Sequence, residues 1–184
     1  MAPNPDHGIV SLATCKPTIR STAQIGDWVI GVFPSPRNHL VAWAGKVAER
    51  IAIGRYGTAF SERRDSLYPP GDTGAPQRDW ARLPWYHTTD NDRRKDTRGS
   101  VLMFDPAGTW YFGAEGRMIA TKIEHLVPHG RGHRINPVCD GDTAMLENWL
   151  RSISPPGIIG CPRDPWPGPG PSLCDGTPGK SRRC

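Results

Sequence analysis

Residues 8–33, GIVSLATCKPTIRSTAQIGDWVIGVF, hold two apolar, β-branched runs separated by a polar stretch, the pattern of two strands in one sheet. The first run, residues 8–15, reads as a buried strand ended by Lys16-Pro17. Residues 20–24 read as a polar connection, and Gly26-Asp27 signals a turn. Residues 28–33 (WVIGVF) then form a second strand, stopped by Pro34-Ser35-Pro36. Residues 39–53 mix strand formers with helix formers; the reading adopted is a strand through about Val47, paired with the second as a hairpin.

Further along the chain, residues 61–99 carry eight basic and seven acidic side chains among Pro and Gly, which predicts a long surface excursion tacked down by Tyr68, Trp80, Trp85 and Tyr86. Residues 100–105 and 110–113 are expected to form a second hairpin around Pro106-Ala107-Gly108. Residues 119–127 fit no single element, and residues 128–133 make a glycine-rich loop. Asp142 or Thr143 is placed to cap a helix over residues 144–153, whose Met145, Leu146, Trp149, Leu150 and Ile153 share one face and should pack on the sheet. The tail beyond Ser154 is rich in Pro and Gly and has little to bury. The expected organisation is therefore an α+β domain over residues 1–154 and a disordered tail over 155–184. Its sheet should be small, mixed and mainly antiparallel, or an open barrel, with a C-terminal packing helix.

A chain of 184 residues has room for one core, and seven Trp, four Tyr and four Phe can close it. No apolar run is long enough to span a bilayer and the first residues lack a signal-peptide pattern, so a cytoplasmic protein with no membrane partner is expected. Five widely spaced cysteines without a CxxC pair suggest reduced thiols rather than a disulfide framework or zinc ribbon. The net charge of +5 has its excess at the two ends of the chain. That suits contact with a few phosphates or one nucleotide, not the wrapping of a duplex.

Three local patterns carry a family resemblance: Ala2-Pro3-Asn4-Pro5 with His7-Gly8, Leu12-Ala13-Thr14-Cys15-Lys16-Pro17 with Ile19-Arg20, and Gly26-Asp27-Trp28-Val29-Ile30-Gly31. Together they resemble the type-two family of nucleotide modification associated domains, found in phage and bacterial neighbourhoods for modifying DNA bases. His87, Tyr111-Phe112-Gly113 and Gly130-Arg131-Gly132-His133 look like that family's later landmarks in the same order, so the resemblance covers roughly residues 2–153. At fold level the order of strands is also similar to PUA-like domains, including the EVE type, which read nucleobases in an aromatic-lined pocket. The resemblance implies recognition of a nucleotide or modified base, with DNA bearing a modified base as partner and DNA-modifying enzymes encoded separately.

Such a pocket needs a stacking face, donors and acceptors for the base edge, and a cation for the phosphate. Trp28, Trp43 or Trp110 can stack, although core packing is the plainer role for each; Asn4, His7 and Thr14 can bond the edge; Lys16, Arg20 and Arg131 can meet the phosphate. Cys15 reads either as a core residue or as a nucleophile, although Lys16, its neighbour in a strand, would face the other way. His87 could pair with Asp90, Asp92 or Asp96, depending on how its loop folds. His125, His129 and His133 repeat every four residues, but Pro128, Gly130 and Gly132 interrupt a helix there, so no metal is expected. No cofactor motif is present: no P-loop, no Rossmann fingerprint and no GxSxG elbow. The nucleotide-binding set is thus Asn4, His7, Thr14, Cys15, Lys16, Arg20, Trp28, His87, Arg131 and His133, in a non-catalytic recognition domain. The rival readings are an enzyme using His7, Cys15 or His133, and a protein-interaction module.

Overall fold

In a computed structural model, which describes residues 3–34, 36–37, 40–127, 132–133, 135 and 138–162, the strand expected at residues 8–15 is β2, Ile9–Leu12. It pairs with β1, Asn4–Asp6, in the register Asn4↔Ser11 and Asp6↔Ile9. His7 and Gly8 form the two-residue turn, at φ 50° and 75°, as a tight hairpin of this hand requires. Asn4 and Pro5 therefore lie in an edge strand.

Pro17 opens a helix instead of closing a strand. Its fixed φ suits a first helical turn, and α1 spans Pro17–Thr22, taking in residues 20–22 of the stretch 20–24 expected to be a polar connection. The hairpin of β3, Trp28–Val32, and β4, Leu40–Ile51, forms as expected, with β4 running beyond Val47. After it come α2, Ile53–Ala59, and α3, Asp90–Asp96.

Residues 61–99 are mostly exposed, as expected, but they are more than a surface excursion, because Arg63, Asp65, Leu67, Tyr68, Arg78 and Asp96 are all buried. Their charges satisfy one another: Arg63 pairs with Asp65 at 3.5 Å and donates to the Tyr56 hydroxyl at 2.7 Å and the Ser11 hydroxyl at 2.8 Å. Nor do residues 100–113 form a hairpin. They make one strand, β5, Val101–Tyr111, because the φ that proline imposes fits extended backbone as well as a turn.

With β6, Arg117–Met118, and β7, Gly157–Ile158, the described residues form a seven-stranded sheet in the order β1-β2-β5-β4-β3, β6 lying on β4 and β7 parallel on β5. The described pairs of β1 with β2, β2 with β5 and β4 with β6 are antiparallel, and the sheet is not closed into a barrel. A 3-10 helix covers Thr121–Leu126 and α4 covers Asp142–Ile153. Neither Asp142 nor Thr143 caps α4: Gly141, at φ 90°, is the capping residue, and Asp142 is the first residue of the helix.

Two compact units divide the chain. Residues 1–27 and 46–106 enclose a core of Ala13, Ile51, Ile53, Tyr56, Leu67, Tyr68, Val101 and Met103. Residues 28–45 and 107–184 enclose another, in which Leu146 and Leu150 of α4 meet Val41, Trp110, Phe112 and Ile123. In this second unit Trp28 stacks on Trp110 with ring centroids 6.3 Å apart. Gly157–Ile158, assigned by sequence to the tail, pairs with Trp110 and Tyr111, while the rest of the tail from residue 163 lies outside the described residues. Cys15 and Cys139 are free, but Cys161 is disulfide-bonded, against the expectation of reduced thiols throughout. No helix among the described residues is long and apolar enough to cross a membrane.

Candidate active site

β2 ends at Leu12, and three residues later the chain turns sharply through Cys15 and Lys16, at φ 56° and 43°. Left-handed backbone costs a non-glycine residue roughly 1–2 kcal/mol, so a pair of such residues needs support from its surroundings. The buried Arg20 of α1 supplies it. Its Nε donates to the Cys15 carbonyl at 2.9 Å, and one terminal nitrogen donates to the carbonyls of Lys95 and Asp96 at 2.8 and 2.7 Å. One guanidinium thus ties the turn at Cys15 to the last residues of α3. Burial lowers the affinity of Arg20 for its proton, and the charge of Asp96 works against that loss.

α3 is only seven residues long, and a reciprocal cap steadies its start. The Thr89 hydroxyl accepts from the Asp92 N–H at 3.1 Å, and the Asp92 carboxylate accepts from the Thr89 N–H at 3.3 Å. The bond to Thr89 holds the Asp92 carboxyl below its ordinary range. At the far end of α3, Asp96 is fully buried. Its Oδ1 accepts from the Cys15 N–H at 2.8 Å; its Oδ2 accepts from the Tyr68 hydroxyl at 3.1 Å and lies 2.6 Å from His87 Nδ1.

The loop leading to His87 is held from within. Arg78 donates to the carbonyls of Asp79, Arg82, Leu83 and Tyr86, and Leu83 and His87 both take φ 50°. The Tyr86 and His87 rings stack 3.9 Å apart at 11°, and both polar ends reach one sulfur. His87 Nε2 lies 3.3 Å and the Tyr86 hydroxyl 3.2 Å from Cys15 Sγ. The chain thus aligns a half-buried thiol, an imidazole and a buried carboxylate in series, the arrangement in which a base takes a thiol's proton while a carboxylate fixes its tautomer.

The same three residues are the group among the described residues able to ligate a metal, their donor atoms lying within 4.8 Å of one another. The alignment favours proton transfer over ligation. His87 turns a different nitrogen to each neighbour, and both Asp96 oxygens already accept hydrogen bonds, whereas a metal needs its donors to converge on one point.

Residues 1–166 match the family described as nucleotide modification associated domain 2. The chain belongs to that family. No curated protein and no solved structure matches it. Against the family's landmarks in this chain, Thr14, Cys15, Arg20 and His87 come together, Thr14 through its hydroxyl 3.4 Å from that of Tyr86. Lys16 is exposed beside them. Arg20 is fully buried, with Nε and one terminal nitrogen given to backbone carbonyls, so it braces the turn that carries the thiol rather than facing solvent. Asn4 is buried in β1, and His7 sits exposed at the hairpin turn, 3.7 Å from Asp6. Trp28 and exposed His133 belong to the second unit, as do the buried Trp43 and Trp110. Arg131 and His129 lie outside the described residues, and His125 contacts Asp142 at 3.0 Å. Sequence reasoning missed Tyr68, Tyr86 and Arg78 as parts of the site. The one available signal was the cluster of aromatic residues inside a charged segment.

Proposed function

We propose that this member of the nucleotide modification associated domain 2 family is an enzyme rather than a passive reader of bases, and that Cys15 is its nucleophile. The observation that carries the reading is the line Cys15 Sγ, His87 Nε2, His87 Nδ1, Asp96 Oδ2, with contacts of 3.3 and 2.6 Å. A stabilising role alone gives no reason to hold Cys15 and His87 at positive φ with a buried carboxylate behind them. Family membership supports a substrate from a nucleotide-modification system. The surroundings suit one: half-exposed Trp85 sits edge-on to Tyr86 at 6.0 Å and offers a stacking face, and exposed Lys16 offers a cation to a phosphate.

The test is incubation of the full chain with nucleotides and short oligonucleotides bearing normal and modified bases, with products read by mass spectrometry and binding by thermal shift. The expected result is a product that Cys15→Ala abolishes while its thermal shift persists. A shift that is equal in both proteins, with no product from either, would return the chain to a recognition role.

A further inference from the structure

Resting on that reading, we infer that Cys15 attacks the carbonyl carbon of an amide or ester, and that Tyr86 is the second catalytic residue, donating its hydroxyl hydrogen to the oxygen as negative charge develops there. Three uses of a thiolate can be compared. Alkyl transfer needs only the ionised sulfur, and a redox thiol needs a second sulfur within reach; neither calls for a base that must later give its proton back. Acyl transfer does, because the amine leaving an amide departs only when protonated. His87 is built for both directions. Asp96, held by the Cys15 N–H and the Tyr68 hydroxyl, stabilises the imidazolium between the two transfers.

The remaining requirement is a donor for the oxyanion. Backbone does not supply it from Cys15 itself, whose N–H is committed to Asp96. The Tyr86 hydroxyl is 3.2 Å from Sγ, within reach of an oxygen on the carbon bonded to that sulfur. Its place is set by the stack on His87 and by the bond from Arg78 to its own carbonyl at 3.1 Å. Burial, with the hydrogen bond to Cys15 acting in the same direction, raises the phenol well above its ordinary value. The group therefore stays protonated, as a donor must.

The steps balance without any added oxidant or reductant. His87 Nε2 takes the thiol proton, Sγ bonds to the carbonyl carbon, and the π electrons move to oxygen, which accepts from Tyr86. The carbon–nitrogen or carbon–oxygen bond then breaks, the leaving atom takes the proton from Nε2, and a thioester on Cys15 remains. Water attacks that thioester and gives a proton to Nε2; the carbon–sulfur bond then breaks, the sulfur takes that proton back from Nε2, and an acid and the thiol result.

The probe is 4-nitrophenyl acetate, with iodoacetamide as the control for thiol reactivity. Wild-type chain should release nitrophenolate in a burst, carry an acetyl group on Cys15 by peptide mapping, and turn over. Tyr86→Phe should slow turnover about 100-fold, the typical effect of losing one oxyanion donor, while alkylation of Cys15 by iodoacetamide changes less than about threefold. Equal slowing of both reactions would overturn the inference, since Tyr86 would then act only on the thiolate. Rapid alkylation of Cys15 without an acetyl adduct would also overturn it and leave the nucleophile itself standing. Alkylation of Cys15 that is slow and indifferent to His87→Ala would remove the nucleophile and the inference with it.

Discussion

Replacing Asp96 by asparagine removes a charge from the site without changing its shape. The introduced amide has one oxygen to offer, and three groups face the native carboxylate: the Cys15 N–H, the Tyr68 hydroxyl and His87 Nδ1, which lie 2.8, 3.1 and 2.6 Å from it. The backbone N–H can only donate, whereas the hydroxyl can rotate to accept and the imidazole can change tautomer, so the oxygen goes to Cys15 and the NH2 faces Nδ1 and the Tyr68 hydroxyl. His87 then accepts at Nδ1 and carries its proton on Nε2, where it meets Sγ as a donor and can no longer take the thiol's proton. In serine hydrolases the corresponding change costs about 10,000-fold in turnover, and a loss of that order is expected for the acyl reaction here. The effect on alkylation is bounded more tightly. A thiol without a base is about 3% ionised at pH 7, so losing the base slows reaction with iodoacetamide by at most about thirtyfold. Because the bond to Cys15 survives, folding stability should fall by no more than about 1–2 kcal/mol. The assay is the rate of Cys15 alkylation against pH, with a urea midpoint on the same protein. An Asp96→Asn variant that alkylates at the wild-type rate across a range of about pH 6–8 would refute the relay.

Four further outcomes follow from the same structure. Arg20→Met leaves the carbonyls of Cys15, Lys95 and Asp96 without their buried donor, which should lower unfolding free energy by about 3 kcal/mol in urea titrations and slow the thiol. Thr89→Ala removes the cap of α3 and should cost about 1 kcal/mol, measured the same way, with a larger loss of activity than of stability because α3 carries Asp96. Gly57→Ala puts a methyl group 2.5 Å from Pro69 Cα and 2.7 Å from the Tyr68 carbonyl, so a drop of about 1–3 kcal/mol is expected by thermal melting. The hydrogen bond from His125, together with the Cys139 N–H, holds the Asp142 carboxyl below its ordinary value of 3.8. A depressed carboxyl stabilises the fold above its unfolded value and loses that contribution as pH falls through the folded one. The stability gap between wild type and Asp142→Ala should therefore be full at about pH 7 and narrow below about pH 4, as read from urea midpoints.

The parts of the fold that were legible are those written in local patterns. The strands at residues 9–12 and 28–32 and the apolar face of α4 follow from runs and periods a few residues long. Residues 61–99 misled because charge usually marks surface, whereas here Arg63, Asp65 and Asp96 are buried with partners far off in sequence. Pro106 misled in the other direction, since its φ fits a strand as well as a turn. Of the site, Cys15 and His87 were visible as candidates, and Asp96 as one of three possible partners. Their conjunction was not visible: 72 residues separate the sulfur from the imidazole, and the strand-like reading of residues 8–15 concealed the left-handed turn that exposes the thiol. Arg20 looked like a phosphate ligand because a cation beside a candidate nucleophile reads that way, and only its burial reveals a brace.

Activation of the Cys15 thiol by its surroundings can be tested directly, because the chain carries its own control. Cys139 is also free and is the more exposed of the two, while Cys15 has the His87 imidazole beside its sulfur. Limited treatment with iodoacetamide at about pH 7, followed by peptide mass mapping, reports the two rates in one sample. Activation of the thiol predicts that Cys15 is modified ahead of Cys139 and that His87→Ala reverses the order. Modification of Cys139 first in the wild-type protein would contradict it.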